Sequence, residues 1–201
     1  MKKQMKGLAA SVVVVLGACG LAAEAAASTL GEEISKLPAE KVDAESSKGF
    51  MNGQMYCEIS SIKLTKVLSL PDCQFGVESY VAMEGQVLLL IQGCVQNNGN
   101  DPVHFQTPVF RSQKGKEYDV EDSIRYKSEK SDLLSVKLNP GINHRFVCLY
   151  RLPVREVLGG SLAFEKELFS FDDDIETIIS LPITSDQKIE QHLILHDVTD
   201  F

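Results

Sequence analysis

The sequence predicts an all-β protein, an antiparallel β-sandwich, and three observations carry that expectation. Hydrophobicity alternates with period two through much of the chain after Tyr56, dense turn signals interrupt it at short intervals, and no long stretch keeps a helical period. Short strands of this kind bury one face each and close on one another as two layers. The chain has 201 residues, 44% apolar, 24% charged and 7% aromatic, with no Trp. That length accommodates one domain with additional segments. Lys and Arg number 20 against 28 Asp and Glu, a formal charge of -8. Such a balance argues against a nucleic-acid partner, because phosphate binding needs a basic stripe.

The first element is an export signal. Lys2, Lys3 and Lys6 make a positive head, and residues 7–16 are apolar, with β-branched Val12, Val13, Val14 and Val15. The run is too short to span a bilayer comfortably as a helix. Two processing routes compete. Leu16-Gly17-Ala18-Cys19 resembles a bacterial lipobox, in which residues 1–18 are removed and Cys19 carries lipid. Ala25-Ala26-Ala27 is an A-x-A site whose cleavage releases a soluble secreted protein near Ala27. The apolar run ends directly at Cys19, which favours lipidation and a membrane partner through that anchor. Residues 19–55 then read as a flexible tether of Ala, Glu, Ser and Lys. A brief helix is expected at residues 30–37, capped by Ser28 or Thr29, with Glu32 and Glu33 in its first turn.

The folded part is expected over residues 56–184, followed by a C-terminal extension, 185–201. Ile62 and Leu64 alternate with Lys63 and Thr65. Residues 87–95 form a long β-branched and Leu-rich run, stopped by Asn97-Asn98-Gly99-Asn100-Asp101-Pro102. Residues 103–111 alternate again, and Gln113-Lys114-Gly115-Lys116 makes a polar turn before Tyr118. Residues 133–138 lead to Asn139-Pro140-Gly141, where Pro presets the first turn angle and Gly supplies the positive φ of the second. Phe146, Cys148, Tyr150 and Leu152 then share one face, and residues 161–168 and 177–183 give two further strands. The pattern amounts to about seven to eight strands, and spacing alone leaves a closed barrel open.

These motifs, in this order, resemble a bacterial extracytoplasmic immunoglobulin-like domain family of unknown function, similar to a mycobacterial secreted immunoprotective antigen. The resemblance runs from about Ile59 to Phe164. It rests on residues 87–103 with their Asn-Asn-Gly turn, on Gly115-Lys116-Glu117-Tyr118, and on Leu138-Asn139-Pro140-Gly141 leading into residues 146–153. It implies an immunoglobulin-like sandwich and an extracytoplasmic location, and it brings no activity. Gly93 and Cys94 inside the central strand depart from the family pattern.

Cys57, Cys73, Cys94 and Cys148 are an even set in a chain bound for an oxidising compartment, so two disulfides are expected. Cys57 with Cys73 would close a local loop, leaving Cys94 with Cys148. Cys94, however, is in phase with Gln92 and Gln96 and points outward unless Gly93 marks a bulge that reverses the phase. Free buried thiols are the other reading.

Chemistry-bearing patterns are few. Asp172-Asp173-Asp174 with Glu176 offers hard oxygen ligands without an EF-hand loop, and a solvated acidic turn is the better reading. His192 and His196 stand four apart, the spacing of a helical zinc pair, but His192-Leu193-Ile194-Leu195-His196 reads as a strand. Met51, Met55 and Cys57 supply soft sulfur of the kind Cu(I) selects, a cluster that composition explains as fortuitous. His104 and His144 each lie next to a turn, and no nucleophile elbow or phosphate loop occurs. The expected function is therefore an exported, lipid-anchored binding module in the cell envelope, facing the periplasm or exterior. It has no cofactor and no catalysis, and it meets an unidentified protein or envelope ligand. A metal carrier or sensor and a hydrolase assembled in space are the competing classes.

Overall fold

The computed structural model describes residues 28–35, 50–52, 55–73, 76–105, 107–126, 137–164 and 177–199. The expected signal segment, Cys19, Ala25-Ala26-Ala27 and the acidic run Asp172 to Asp174 with Glu176 lie outside the described residues. The described chain is all-β. Its first strands are β1 (Ser28–Thr29), β2 (Phe50–Asn52), β3 (Met55–Thr65), β4 (Val67–Cys73), β5 (Gly76–Val81) and β6 (Gln86–Asn97). Then come β7 (Val103–His104), β8 (Val109–Arg111), β9 (Glu117–Tyr118), β10 (Asp122–Tyr126), β11 (Lys137–Leu138) and β12 (Asn143–Pro153). The last are β13 (Ser161–Phe164), β14 (Thr177–Ser180), β15 (Lys188–Glu190), β16 (Leu193–Ile194) and β17 (Val198–Thr199). A short α-helix, α1 (Leu30–Ser35), follows β1, and a 3-10 turn, Val154–Glu156, follows β12.

An eight-stranded sheet in the order β1-β15-β3-β6-β12-β10-β17, with β2 alongside β3, forms the centre. One face packs on the four-stranded sheet β14-β13-β8-β9, and part of the other packs on the three-stranded sheet β16-β4-β5. The unbroken apolar run of β6 follows from this placement. Val87, Leu89 and Ile91 enter the first core with Phe110, Phe146, Tyr150 and Leu162. Leu88 and Leu90 point the other way, into a second core with Leu68, Leu70, Tyr80, Val147 and Leu149. A strand covered on both faces loses its alternation, whereas β12 keeps polar Arg145 and Arg151 among its second-face positions.

Turn chemistry falls where the sequence puts it. Asn97, fully buried, donates from Nδ2 to the carbonyls of Asp101 (2.7 Å) and Leu138 (3.0 Å), while its Oδ1 accepts from Gly99 N–H (2.8 Å). One amide thus organises the Asn-Asn-Gly turn and ties it to β11. Gly141 takes φ +75° after Pro140, as the turn demands, and its N–H donates to the Asn97 carbonyl at 2.8 Å.

Several expectations are corrected. Part of the expected tether is docked: β1 pairs with β15, and Leu30 is completely buried in the first core. Thr29 caps α1, its hydroxyl accepting from Glu32 N–H (3.2 Å) while the Glu32 carboxylate accepts from Thr29 N–H (2.9 Å). The expected C-terminal extension is also part of the fold. Ile189 lies in the first core, and Leu193 and Val198 lie in the second. Two of its strands pair in parallel, β15 with β3 and β16 with β4, so the sandwich is not purely antiparallel. β15 and β17 carry no sequence signal because each holds too few residues to show a period, whereas β16 falls within the segment from His192 to His196 that the sequence already reads as a strand.

Candidate functional site

The expected disulfides among Cys57, Cys73, Cys94 and Cys148 do not form, and the expected pairings straddle the central sheet. Cys57 and Cys148 are buried in the first core, whereas Cys73 packs against the second. Cys94 sits opposite Glu58 and Arg145, and Cys148 sits opposite Ile91, three residues along β6. An odd separation on one strand puts the two on opposite faces. The bulge that could have reversed Cys94 lies elsewhere, in β3 between Ile59 and Ser61. Gly93 itself is regular, and the Phe146 ring fills the space that a side chain would need. Cys57 and Cys148 share a face, but their β6 partners Val95 and Ile91 are four residues apart, about 13 Å. That offset is too long for a bridge. Burial pushes the Cys148 thiol up to about 12 and raises Cys57 as well, so both stay protonated and inert.

The metal candidates are not brought together. Among the described residues no group of three or more His, Cys, Asp and Glu side chains could hold an ion. His192 and His196 flank the two-residue strand β16, and both are exposed. His192 Nε2 lies 2.9 Å from Ser69 Oγ, which is also 2.9 Å from Ser79 Oγ. This hydrogen-bonded row crosses the small sheet on strands whose backbone is engaged in the ladder, and it has the character of a polar clasp. Met55 packs on the first core beside Cys57. His144 pairs with Val95 and His104 with Lys137, on different sheets. Among the described residues, no helix is long and apolar enough to cross a membrane.

A surface that no sequence motif announces emerges from the central sheet's second face. At one end this face is apolar and covered, by Leu88, Leu90 and Leu149. At the other end it turns polar. Register places Tyr56 opposite Gln96 and Asn143, and Glu58 opposite Cys94 and Arg145. Continuing the β10–β12 register sets Tyr126 beside Arg145, whose guanidinium stacks 4.0 Å from the ring centroid. Gln92 Nε2 donates to Tyr126 Oη at 2.7 Å, and Tyr56 Oη donates to Glu58 Oε2 at 3.1 Å. The hydrogen bond to Glu58 raises the Tyr56 phenol above its ordinary value. Partial burial raises Tyr126 despite the opposing pull of Arg145. Both phenols remain neutral donors at physiological pH. The sequence signal that could have found this face is the switch from Leu88 and Leu90 to Gln92, Cys94 and Gln96 at alternate positions of one strand.

No family model matches the chain, and no curated protein does. Solved structures of similar architecture exist. An uncharacterized β-sandwich protein from Clostridium difficile is 14% identical with a TM-score of 0.42, over 71% of this chain and 99% of that one. The yjhA protein from Bacillus subtilis is 14% identical with a TM-score of 0.45, over 69% and 99%. A conserved hypothetical protein from Bacillus anthracis is 14% identical with a TM-score of 0.42, over 60% and 87%. With its own strand pairing and two apolar cores, the chain is an all-β sandwich.

Proposed function

We propose that this protein is an exported, lipid-anchored module that binds an envelope saccharide on the polar half of its central sheet, without catalysis. The observation that carries the reading is the change of character along one sheet face, from covered Leu positions to a row of Glu58, Cys94, Arg145 and Tyr126. A sugar presents hydroxyls that donate and accept along its edge and an apolar face over its ring. Tyrosine rings, Gln amides, a carboxylate and a guanidinium in one plane match both properties. Among the described residues, none of the exposed large apolar side chains lies on this half, which disfavours the dry apolar centre of a protein interface. The immunoglobulin-like kinship belongs to the same proposal.

Because β1 starts at Ser28, only residues 20–27 would link Cys19 to the folded part, at most about 28 Å. The module would therefore sit close to its membrane. Soluble release near Ala27 is the second reading, and either cut keeps β1, Ser28–Thr29, in the mature chain. The intact mass of the mature protein separates the two routes. Binding is tested by calorimetry with a soluble peptidoglycan-derived disaccharide peptide. The proposal expects heat of binding that Tyr56→Ala and Arg145→Ala each abolish while the melting temperature holds. A flat titration of the parent protein, or unchanged binding by both variants, refutes the saccharide reading.

A further inference from the structure

We propose that β5 is the interface of a symmetric homodimer, pairing antiparallel with β5 of a second copy about a two-fold axis through Ser79. β5 ends the sheet β16-β4-β5, and with six residues it is the longest strand at any sheet end among the described residues. Long edges are normally blunted by Lys, Pro or a bulge. Gly76-Val77-Glu78-Ser79-Tyr80-Val81 has no Lys and no Pro. Among the described residues, three of the six exposed large apolar ones are here: Val77 at 68%, Val81 at 54% and, just beyond, Met83 at 68%.

Backbone parity selects the register. Ala82 N–H donates to the Lys66 carbonyl at 2.9 Å, and β4 pairs with β5 as Leu68 with Tyr80 and Ser69 with Ser79. Ladder bonds alternate along an antiparallel pair. Tyr80 and Glu78 therefore direct their backbone at β4, and Val77, Ser79 and Val81 direct theirs outward. A second β5 can use all three outward residues in one arrangement: Ser79 faces Ser79 of the other copy, and Val77 faces its Val81, twice. The Arg151 guanidinium donates to the Val81 carbonyl at 2.6 Å, leaving that oxygen its second lone pair. The arrangement is also compatible in charge, since Glu78 faces Tyr80 of the second copy and no like charges oppose. A peptide of another protein could add to the same edge, but this self-complementary register specifies a second copy. The paired segment has six residues a side, small against the roughly 20–30 a side of stable interfaces. The dimer is accordingly weak and concentration-dependent.

Sedimentation equilibrium of the full mature protein over a wide concentration range tests this. The expected result is a reversible monomer–dimer equilibrium that the V77K/V81K double variant abolishes and V77K/V81E restores, through Lys opposite Glu across the axis. Ser79→Cys places two thiols at the axis, and oxidation should yield a covalent dimer whose peptide map joins position 79 to itself. Circular dichroism checks that each variant remains folded. A protein monomeric at every concentration, with no cross-link at position 79, overturns the proposal. So does a dimer indifferent to V77K/V81K, or β5 occupied by a different polypeptide.

Discussion

Gly93→Ala tests the packing of the central sheet most directly. An ideal Cβ at Gly93 stands 2.6 Å from Cζ and 2.8 Å from Cε1 of Phe146, and nearer still to the Glu58 carbonyl oxygen. Carbon contacts settle at about 3.5–4.0 Å, so the ring would have to retreat by about 1 Å. It has nowhere to go: Phe146 is completely buried, with the Phe105 ring centroid 6.1 Å away. Overpacking of this kind costs about 1–3 kcal/mol. For a domain of this size each kcal/mol lowers the melting temperature by about 2–4 °C. Urea unfolding should show a lower midpoint with an unchanged slope. Phe146→Leu in the G93A background should recover part of the loss by removing the ring, but not the backbone contact with Glu58. An ordinary strand glycine gains about 0.5–1 kcal/mol on replacement by Ala, so the sign itself is diagnostic. A G93A protein as stable as the parent, or more stable, refutes the assigned register.

Three further outcomes are expected. Tyr150→Phe deletes the bond from the buried phenol to the Pro108 carbonyl (2.7 Å) and should cost about 1–3 kcal/mol in denaturant unfolding, because the carbonyl is left unpaired. Cys148 has its pKa raised from 9.0 to about 12 by burial, so the folded state holds a proton that the unfolded state releases. The contribution of this thiol is therefore intact below pH 9 and is lost at about 1.4 kcal/mol per pH unit from there towards pH 12, a part of the slope that Cys148→Ala should remove. Truncation after Gln187 removes β15, β16 and β17 and uncovers Leu68 and Leu70. With buried Ile189, Leu193 and Val198 each contributing about 1.5–3 kcal/mol, the truncated chain should lose its cooperative thermal transition.

Strands of five or more residues with a clear apolar pattern, such as β6 and β12, were legible in the residues themselves, as were the turns at Asn97 and Gly141. The docking of Leu30 was not legible, because one Leu in an Ala-, Glu- and Ser-rich segment looks like a spacer until its neighbours across the core are known. The polar face was hidden for a related reason. Tyr56, Gln96, Arg145 and Tyr126 come from four strands, and strand order joins them.

What the residues determine alone is local: period-two alternation, turn angles preset by Pro and Gly, and a capped helix start at Ser28 or Thr29, each acting over a few positions. What tertiary structure decided is which face of each strand meets which layer. The thiol pairing failed on that point, since Cys94 and Cys148 lie on neighbouring strands yet point to opposite sides of one sheet. Side-chain direction depends on register between distant strands, and register is set by the whole of both apolar cores at once.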